Sequence, residues 1–481
     1  MAYHLAIDIG ASSGRHILGH VENGRMMLEE VYRFDNRQVR QNGHDCWDTG
    51  HLWRSILAGL KACKAAGKIP ATLGIDTWAV DFVLVDGAGR PVGDAVAYRD
   101  KRTEGMRDAL EPMLPFAKHY GRTGIQYQPF NTAYQLAALK WEHPEQLEQA
   151  ARLLMIPDYF HYLLTGRMVN EYTNATSTAL VGAESRTWDD ELISALGLPR
   201  SLFGELALPG TRVGHFTRAV REAVGFDCEV LLPATHDTGS AFLAVPARDE
   251  RAVYLSSGTW SLLGVENAAP ITTPASRTQN FTNEGGYQYR FRYLKNIMGL
   301  WMIQSIRREL NGETYVVGRG TRSAAGRAWS YADLEAEARG AAAFASVVDV
   351  DDGRFLSPAS MTEAVKTACA ESGQPVPATV GEVMACVYHS LAHSYRRAIE
   401  ELSLLTGKTY TSLNIVGGGS KDGYLNELTA RATGLTVFAG PTEGTALGNL
   451  MVQFISAGEY RDLAEARKAI QQSFPIKEIR P

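Results

Sequence analysis

The stretch Thr235-His236-Asp237-Thr238-Gly239-Ser240-Ala241 lies near the middle of the chain and determines how the rest is interpreted. An apolar run over 230–234 leads into it, and an apolar helical pattern follows over 241–245, which predicts strand, polar turn and helix in that order. In open α/β sheets such junctions lie at the carboxyl edge, where ligands bind. Asp237 could accept a proton from a substrate hydroxyl there, although an aspartate capping a helix is the common alternative.

Composition excludes several classes of protein. The chain has 481 residues, of which 45% are hydrophobic and 21% charged, with a net charge of −5. This is ordinary globular composition, and the length predicts more than one domain. Acidic and basic residues are interspersed, so neither a nucleic-acid surface nor a membrane patch is expected. The sequence has no apolar run near the ~20 residues needed to span a bilayer and no signal peptide, so we expect a cytoplasmic protein.

The first residues combine an acid with a turn of small residues. The run 5–10 reads as an apolar strand that contains Asp8, and two further strands, 16–21 and 25–34, are joined by an Asn-Gly hairpin signal. A charged aspartate in a buried strand needs a partner, and Mg²⁺, directly or through its water, would be one. The small residues at 11–15 would let backbone N–H groups approach a phosphate. Such turns between strands also occur without any ligand.

A helix over 48–68 and one or two strands over 73–86 come next. Three strands, a helix and a further strand is the order of the actin-like or ribonuclease H-like ATPase domain. Asp76, Trp78 and Asp81 are interspersed among the apolar residues of this predicted strand region. Polar residues in such a run require a ligand or a buried network.

The second half of the chain repeats this order of predicted elements. Residues 251–266 form an apolar strand, a small-residue turn and a second strand, as residues 4–21 do, which predicts an internal structural repeat. Two such halves would enclose a nucleotide. The run 413–420 is again a strand that enters a glycine loop, and such loops offer backbone N–H groups to phosphate. Neither a P-loop nor a Rossmann fingerprint follows a strand.

Together these motifs resemble the FGGY carbohydrate kinases over almost the whole chain. The stretches that carry the resemblance are 8–15, 74–82, 97–100, 129–132 and 157–159 in the first half, and 236–238, 255–261, 296–301 and 416–419 in the second. The Ala-Ser-Ser-Gly-Arg turn and the Asn-x-x-Gly-x-Trp stretch favour the branch that acts on L-rhamnulose.

The resemblance implies a role for each candidate residue. Asp237 would be the catalytic base, and Asp8 would bind Mg²⁺ through water. ATP would be held by Ala11, Ser12, Ser13, Gly14, Arg15, Thr259, Gln304 and Gly418. The sugar would be held by Trp78, Ala79, Asp81, His236, Asp237, Thr238 and Asn296. Ala79 stands where relatives acting on this sugar commonly have a glycine, so the pocket is expected to be slightly narrower.

The predicted fold is α/β, with two actin-like (ribonuclease H-like) ATPase domains and an interdomain active-site cleft. Residues 1–245 would be mainly sugar-binding and 246–481 mainly ATP-binding. The expected reaction is ATP- and Mg²⁺-dependent phosphorylation of L-rhamnulose at its 1-hydroxyl, by a monomer or homodimer without nucleic-acid or membrane partners. Three alternatives remain: a kinase for another ketose or polyol, a catalytically silent sugar or nucleotide sensor, and an actin- or chaperone-like ATPase machine. Retained Asp8 and Asp237 argue against the second, and the absence of a region for an appendage argues against the third.

Overall fold

A computed structural model describes residues 2–313, 316–317 and 328–481. The chain divides into two compact units, each assembled from separate segments. Unit one comprises Met1–Ala244, Glu266–Leu294 and Gly444–Ser473, and unit two comprises Val245–Val265, Lys295–Glu443 and Phe474–Pro481. The expected division into 1–245 and 246–481 stays a prediction about domains.

The main sheet of unit one is built on the predicted N-terminal strands. Its strands follow the order Arg212–His215, Glu229–Leu231, Pro70–Thr77, Tyr3–Ile9, Ser13–Glu22 and Arg25–Asp35. Strand Tyr3–Ile9 pairs antiparallel with Ser13–Glu22 and parallel with Pro70–Thr77. Asn23 and Gly24 both have positive φ, 50° and 77°, as the tight hairpin predicted from Asn-Gly requires.

Helices and shorter strands surround this sheet. Helix Thr49–Ala65 begins where predicted, because the Asp48 side chain accepts a hydrogen bond from the His51 N–H. The other helices of four or more residues are Met106–Leu110, Phe116–Thr123, Thr132–Glu142, Pro144–Gln149, Ile156–Thr165, Tyr172–Ala175, Asp190–Ala195, Arg218–Val224, Asp237–Leu243, Pro274–Thr278, Gly444–Ser456 and Leu463–Ser473. The smaller strands are Gln38–Gln41, His44–Trp47, Phe82–Val85, Pro91–Val92, Arg152–Met155, Asn170–Glu171, Leu206–Ala207 and Thr282–Gly285.

Unit two repeats the hairpin-and-parallel-strand arrangement of unit one. Its strands follow the order Trp260–Asn267, Ala252–Ser257, Ser412–Val416, Thr436–Ala439 and Lys477–Ile479. The first two pair antiparallel, and Ala252–Ser257 pairs parallel with Ser412–Val416. The predicted internal repeat is therefore present in the structure. Helices Trp301–Asn311, Tyr331–Gly340, Met361–Glu371, Val380–Thr406 and Gly423–Thr433 accompany these strands, and strand Phe291–Met298 runs from unit one into unit two.

The segment Trp78–Asp81, expected to be a strand, is instead a tight turn. It separates strand Pro70–Thr77 from strand Phe82–Val85, which pairs with Arg152–Met155 rather than with the main sheet. Val80 has φ of +68°, and the Asp81 N–H donates to the Ala79 carbonyl oxygen at 2.9 Å. A two-residue hydrogen bond around a positive φ is the pattern of a strained γ-turn. The apolar pattern of this stretch did not predict the reversal, because it is the same whether the chain continues straight or turns.

Within the described residues, none of the helices is both long and apolar enough to cross a bilayer.

Candidate active site

The turn that carries Asp237 lies at the carboxyl end of the strand Pro70–Thr77. The Thr77 N–H donates to the Thr235 carbonyl oxygen at 2.9 Å, and Thr77 forms a parallel bridge with His236. Helix Asp237–Leu243 begins immediately afterwards. The predicted order of strand, turn and helix is confirmed, and Asp237 stands at the sheet edge where ligands bind in open α/β sheets.

Two further aspartates lie on neighbouring strands of the same sheet. Asp8 and Asp76 are register partners on parallel strands, so their side chains lie on one face. Arg15 Nη2 donates to Asp8 Oδ2 at 2.6 Å, and Asn449 Nδ2 donates to Asp76 Oδ2 at 2.6 Å. Burial, and after it the charges of Asp8 and Asp237, raises the pKa of Asp76 well above its usual range. Asp8 and Asp76, together with Asp237 at the same sheet edge, form one acidic cluster.

Asp237 is the member of this cluster most accessible to a ligand, with 31% of its side chain exposed. Its Oδ1 accepts from the Thr238 N–H at 2.6 Å and lies 3.5 Å from Nε2 of His236. Desolvation raises the pKa of Asp237, and the charge of Asp8 adds to this, whereas a charged His236 acts in the opposite direction. A carboxylate with a raised pKa accepts a proton more readily, so Asp237 suits the role of general base.

A buried carboxylate holds the residues just before Asp237. Glu171 is 0% exposed and accepts from the Thr235 N–H at 3.0 Å and from its hydroxyl at 2.8 Å. It also accepts from the Thr173 N–H at 2.8 Å. Burial raises the pKa of Glu171. The position of the turn that carries Asp237 therefore depends on Glu171, which is not among the predicted site residues.

His236 is held by a second buried pair. Arg292 Nη2 lies 3.1 Å from His236 Nδ1, and Arg292 Nη1 lies 3.0 Å from Glu284 Oε2. Arg292 is 1% exposed, and its Nε also donates to the Gly285 carbonyl oxygen at 2.9 Å. Sequence reasoning missed both charged residues. The sequence did contain an indication of Arg292, because an arginine between Phe291 and Tyr293 in an apolar strand predicts a buried charged partner.

The predicted sugar-contacting residues Trp78, Ala79 and Asp81 occupy the strained turn. Trp78 is buried, and its Nε1 donates to Asp81 Oδ2 at 2.9 Å. Ala79 is half-buried. Burial raises the pKa of Asp81 to about 6, although several hydrogen bonds oppose this. A β-branched residue with positive φ, as Val80 has, is uncommon, and such strain concentrates at functional sites.

The small-residue turn after Asp8 has the form expected of a phosphate-binding turn. The Gly10 N–H donates to the Ser13 carbonyl oxygen at 2.9 Å and closes the turn, and Asn36 Nδ2 donates to the Gly10 carbonyl oxygen at 2.9 Å. A Cβ atom at Gly14 would overlap the ring of Phe34, so glycine is required there. Ser12 at the tip of the turn is exposed. Backbone N–H groups in an exposed turn of small residues are accessible to an anion.

A second glycine turn lies in unit two. Two other predicted ATP contacts of unit two, Thr259 and Gln304, lie close together, with Thr259 Oγ1 3.5 Å from Gln304 Oε1. The glycine turn itself comprises Gly417–Gly419. Gly418 is exposed, whereas a Cβ atom at Gly419 would overlap the Ser257 hydroxyl. The glycines therefore let this turn approach strand Ala252–Ser257 closely, as the predicted strand-to-glycine-loop motif requires.

The two units divide the candidate residues between them. Unit one contains Asp8, Ala11, Ser12, Ser13, Gly14, Arg15, Trp78, Ala79, Asp81, His236, Asp237 and Thr238. Unit two contains Thr259, Asn296, Gln304 and Gly418.

The acidic cluster suits a magnesium ion held through water. Among the described residues, no group of three or more His, Cys, Asp or Glu side chains is placed to bind a metal directly. Mg²⁺ usually keeps several waters and needs only one or two carboxylates in addition to substrate phosphates. Asp8, with 7% of its side chain exposed beside the phosphate-type turn, fits that limited role.

Comparison with known proteins identifies the family. Residues 3–244 match the N-terminal domain, and residues 253–457 the C-terminal domain, of the FGGY family of carbohydrate kinases. A protein from Halalkalibacterium halodurans named rhamnulokinase is 48% identical over 477 residues, covering 99% of this chain and 98% of the relative. A rhamnulokinase from Bacillus subtilis is 40% identical over 479 residues, covering 99% of this chain and 95% of the relative.

Solved structures support the fold independently. Gluconate kinase from Lactobacillus acidophilus superposes with a TM-score of 0.79 at 16% identity, covering 100% of this chain and 94% of the other. Plasmodium falciparum glycerol kinase with ADP gives a TM-score of 0.74 at 13% identity, covering 99% and 94%. At such identities the likeness concerns the fold alone, and it confirms the two-domain kinase fold expected from the sequence. The chain belongs to the FGGY family of carbohydrate kinases.

Proposed function

We propose that this chain transfers the γ-phosphoryl group of ATP to the 1-hydroxyl of L-rhamnulose, with Asp237 as the general base. The observation that carries the proposal is the position of Asp237, partly exposed at the sheet edge, with a raised pKa and with His236 and Thr238 beside it. Full-length relatives named rhamnulokinase, 40–48% identical, support the choice of sugar.

In the proposed reaction the 1-hydroxyl oxygen of the sugar forms a bond to the γ-phosphorus. The bond from that phosphorus to the bridging oxygen of ADP breaks, and Asp237 takes the hydroxyl proton. Positioning and charge stabilisation contribute most to such transfers. Backbone N–H groups at Ala11–Arg15 would bind phosphate oxygens. Asp8 would hold Mg²⁺ through a coordinated water, and the charge of that ion would offset the charge of the phosphates.

The other site residues are part of the same proposal. Trp78, Ala79, His236, Thr238 and Asn296 would contact the sugar, and Asp81 would support Trp78 by accepting its indole N–H. Thr259, Gln304 and Gly418 would contact ATP. This assigns sugar binding mainly to residues 1–245 and ATP binding mainly to 246–481. A related ketose is the second candidate acceptor, because the half-buried Ala79, in the strained turn, stands where relatives acting on L-rhamnulose commonly have a glycine.

A substrate panel tests the reaction. ADP release is measured with Mg-ATP and L-rhamnulose, L-fuculose, D-xylulose, L-ribulose or glycerol. We expect the highest kcat/KM with L-rhamnulose. A higher value with another sugar would assign the acceptor to that sugar, and no turnover with any would contradict the proposal.

A matched pair of aspartate variants tests the base. Asp237→Asn keeps the shape but removes the proton acceptor, so kcat should fall by roughly 10²–10⁴. Asp190→Asn changes an aspartate whose side chain is 76% exposed and should leave kcat unchanged. If Asp237→Asn retained kcat within about tenfold of the wild type, Asp237 would not be the base.

A further inference from the structure

Trp47 lies outside every motif that identified the family, yet its side chain reaches the strained turn of unit one. It ends strand His44–Trp47 and is 3% exposed. Its backbone N–H donates to the Ala95 carbonyl oxygen at 2.8 Å, which fixes the strand end. Its indole lies against that of Trp78, with ring centroids 4.2 Å apart and planes tilted by 38°. Two large rings in this contact restrict each other's rotation.

Both indoles bond the same carboxylate oxygen. Trp47 Nε1 donates to Asp81 Oδ2 at 2.6 Å, and Trp78 Nε1 donates to it at 2.9 Å. The backbone N–H of Tyr98 donates to this oxygen at 3.1 Å. Gln135 Nε2 donates to the other oxygen at 3.0 Å. Among the described residues, three donors thus share Oδ2 and one reaches Oδ1.

These hydrogen bonds, together with burial, limit what Asp81 can contact. A carboxylate that already accepts from its protein neighbours has little capacity to accept from a sugar hydroxyl. Asp81 is also 1% exposed, whereas Ala79 on the same turn is half-buried. We therefore expect Asp81 to affect sugar binding indirectly, by orienting the side chains that donate to it. Trp78 is the one of these that lies on the same turn.

The same groups maintain the strained backbone of the turn. The Val80 carbonyl oxygen accepts from Thr132 Oγ1 at 2.6 Å and from Gln135 Nε2 at 3.2 Å, and the Val80 N–H donates to Ser177 Oγ at 3.2 Å. Strained backbone persists only where its surroundings over-determine it. Trp47, through Asp81, adds a constraint at the carboxyl-terminal end of this turn.

We propose that Trp47 is a positioning residue for sugar recognition, which acts through Asp81 to hold Trp78 and the strained turn around Val80 in the binding geometry. This inference rests on the proposed function of the turn as part of the sugar pocket. It assigns Trp47 to affinity for the sugar and gives it no part in proton transfer or in ATP binding.

Trp47→Phe tests the inference, because phenylalanine keeps an aromatic ring but lacks the N–H donor. We expect KM for the sugar to rise at least about tenfold, the lower end of the range for one lost hydrogen bond to a charged acceptor, with KM for ATP within about twofold of the wild type. Sugar binding without ATP, followed by intrinsic fluorescence, should weaken by the same factor. Both are measured with whichever panel sugar the wild type phosphorylates best, so a wrong choice of sugar does not affect this test.

Trp188→Phe is the matched control. Trp188 is 5% exposed, packs on Phe203 with ring centroids 4.9 Å apart, and donates its Nε1–H to the Gly204 carbonyl oxygen at 2.6 Å. Like Trp47→Phe, this variant removes an indole N–H donor from unit one. The acceptor of the lost hydrogen bond is a backbone carbonyl outside the candidate site. Its KM values should match those of the wild type.

The outcomes separate positioning from a general loss of structure. A folded Trp47→Phe protein with unchanged KM for the sugar would overturn the inference. An equal change in KM for ATP, or a change in Trp188→Phe of the same size, would also overturn it. If Trp47→Phe fails to fold, Gln135→Met removes the donor to the other Asp81 oxygen, and the same rise in KM for the sugar alone is required.

Discussion

A buried histidine makes this fold sensitive to acid. His161 is 1% exposed, and its Nε2 accepts from the Ile75 N–H at 3.0 Å, in the strand that carries Asp76. Burial lowers the pKa of His161 from 6.5 to about 3. Nε2 must be unprotonated to accept this bond, so the folded state holds the ring neutral. Burial lowers the pKa of His4 and His16 to about 4 in the same way.

The sign of the resulting pH dependence follows from the lowered pKa. Above about pH 6.5 His161 is neutral in both states, and its contribution to stability is fully present. As the pH falls from 6.5 towards 3, only the unfolded chain binds the proton, and the free energy of unfolding drops by up to about 1.4 kcal/mol per pH unit for this histidine.

His161→Gln keeps an acceptor but removes the titration, so it should make this slope shallower by up to about 1.4 kcal/mol per pH unit. Urea unfolding between pH 7.5 and 4.5 measures the slope. His143→Gln, at a side chain 48% exposed, is the control and should leave the slope unchanged. Equal slopes for wild type and His161→Gln would contradict the assignment.

Among the elements, helix Gly444–Ser456 connects the parts of the acidic cluster. Asn449 donates to Asp76 and also to the Gly74 carbonyl oxygen at 3.1 Å. Gln453 Nε2 donates to Asn449 Oδ1 at 2.7 Å, which orients the amide so that its donor faces Asp76. At Gly448 a Cβ atom would overlap the Ser240 carbonyl oxygen, so only glycine lets the helix that begins at Asp237 pack this closely.

Gly448→Ala should therefore displace one helix relative to the other. We expect a loss of about 1–3 kcal/mol in the free energy of unfolding, the usual cost of overpacking, together with a lower kcat because the Asp237 helix moves. Thermal and urea unfolding and steady-state kinetics measure the two effects.

Gly121→Ala is the matched control for that variant. Gly121 lies within helix Phe116–Thr123, and a Cβ atom there meets no atom within 4 Å. The substitution should be neutral or should stabilise the protein by up to about 1 kcal/mol, because alanine is the better helix former. Equal stability of the two variants would show that the close helix contact is not required.

At the scale of the whole molecule, unit one is completed by chain from the second half. Gln453, beyond the predicted domain boundary, donates to the Leu5 carbonyl oxygen at 3.0 Å and accepts from the Thr72 hydroxyl at 2.6 Å. Buried polar groups without partners are costly. Segment Gly444–Ser473 therefore belongs to the core of unit one in spite of its position in the sequence.

A fragment of residues 1–245 should consequently fail to fold cooperatively. We expect it to lack the near-UV circular dichroism and the single sharp thermal transition of the full chain, because Asp76 and the main-sheet strands lose their helix partners. Adding residues 246–481 in trans should restore at least part of the signal. A cooperative transition of the isolated fragment at the temperature of the full chain would show that segment Gly444–Ser473 is dispensable.

Local sequence pattern was sufficient to predict many of the helices, strands and motifs of this protein. The strands at 3–35, the helix after Asp48 and the strand-to-glycine-loop motif follow from periodicity and turn chemistry, which depend on neighbouring residues. The repeat between 4–21 and 251–266 is visible for the same reason. The motifs around Asp8, Asp237 and Gly417–Gly419 were enough to predict the family, and the comparisons confirm it.

Only the tertiary structure revealed what holds those motifs in place. Trp47, Glu171, Arg292 and Asn449 are distant in sequence from the side chains they support, and no local period marks such partners. The reversal at Val80 was concealed because an apolar alternation looks the same whether the chain continues straight or turns. The sequence by itself determined the family and most of the helices and strands, since both depend on local chemistry. The surroundings of the acidic cluster were decided by long-range packing, which brings together residues 56 to 373 positions apart.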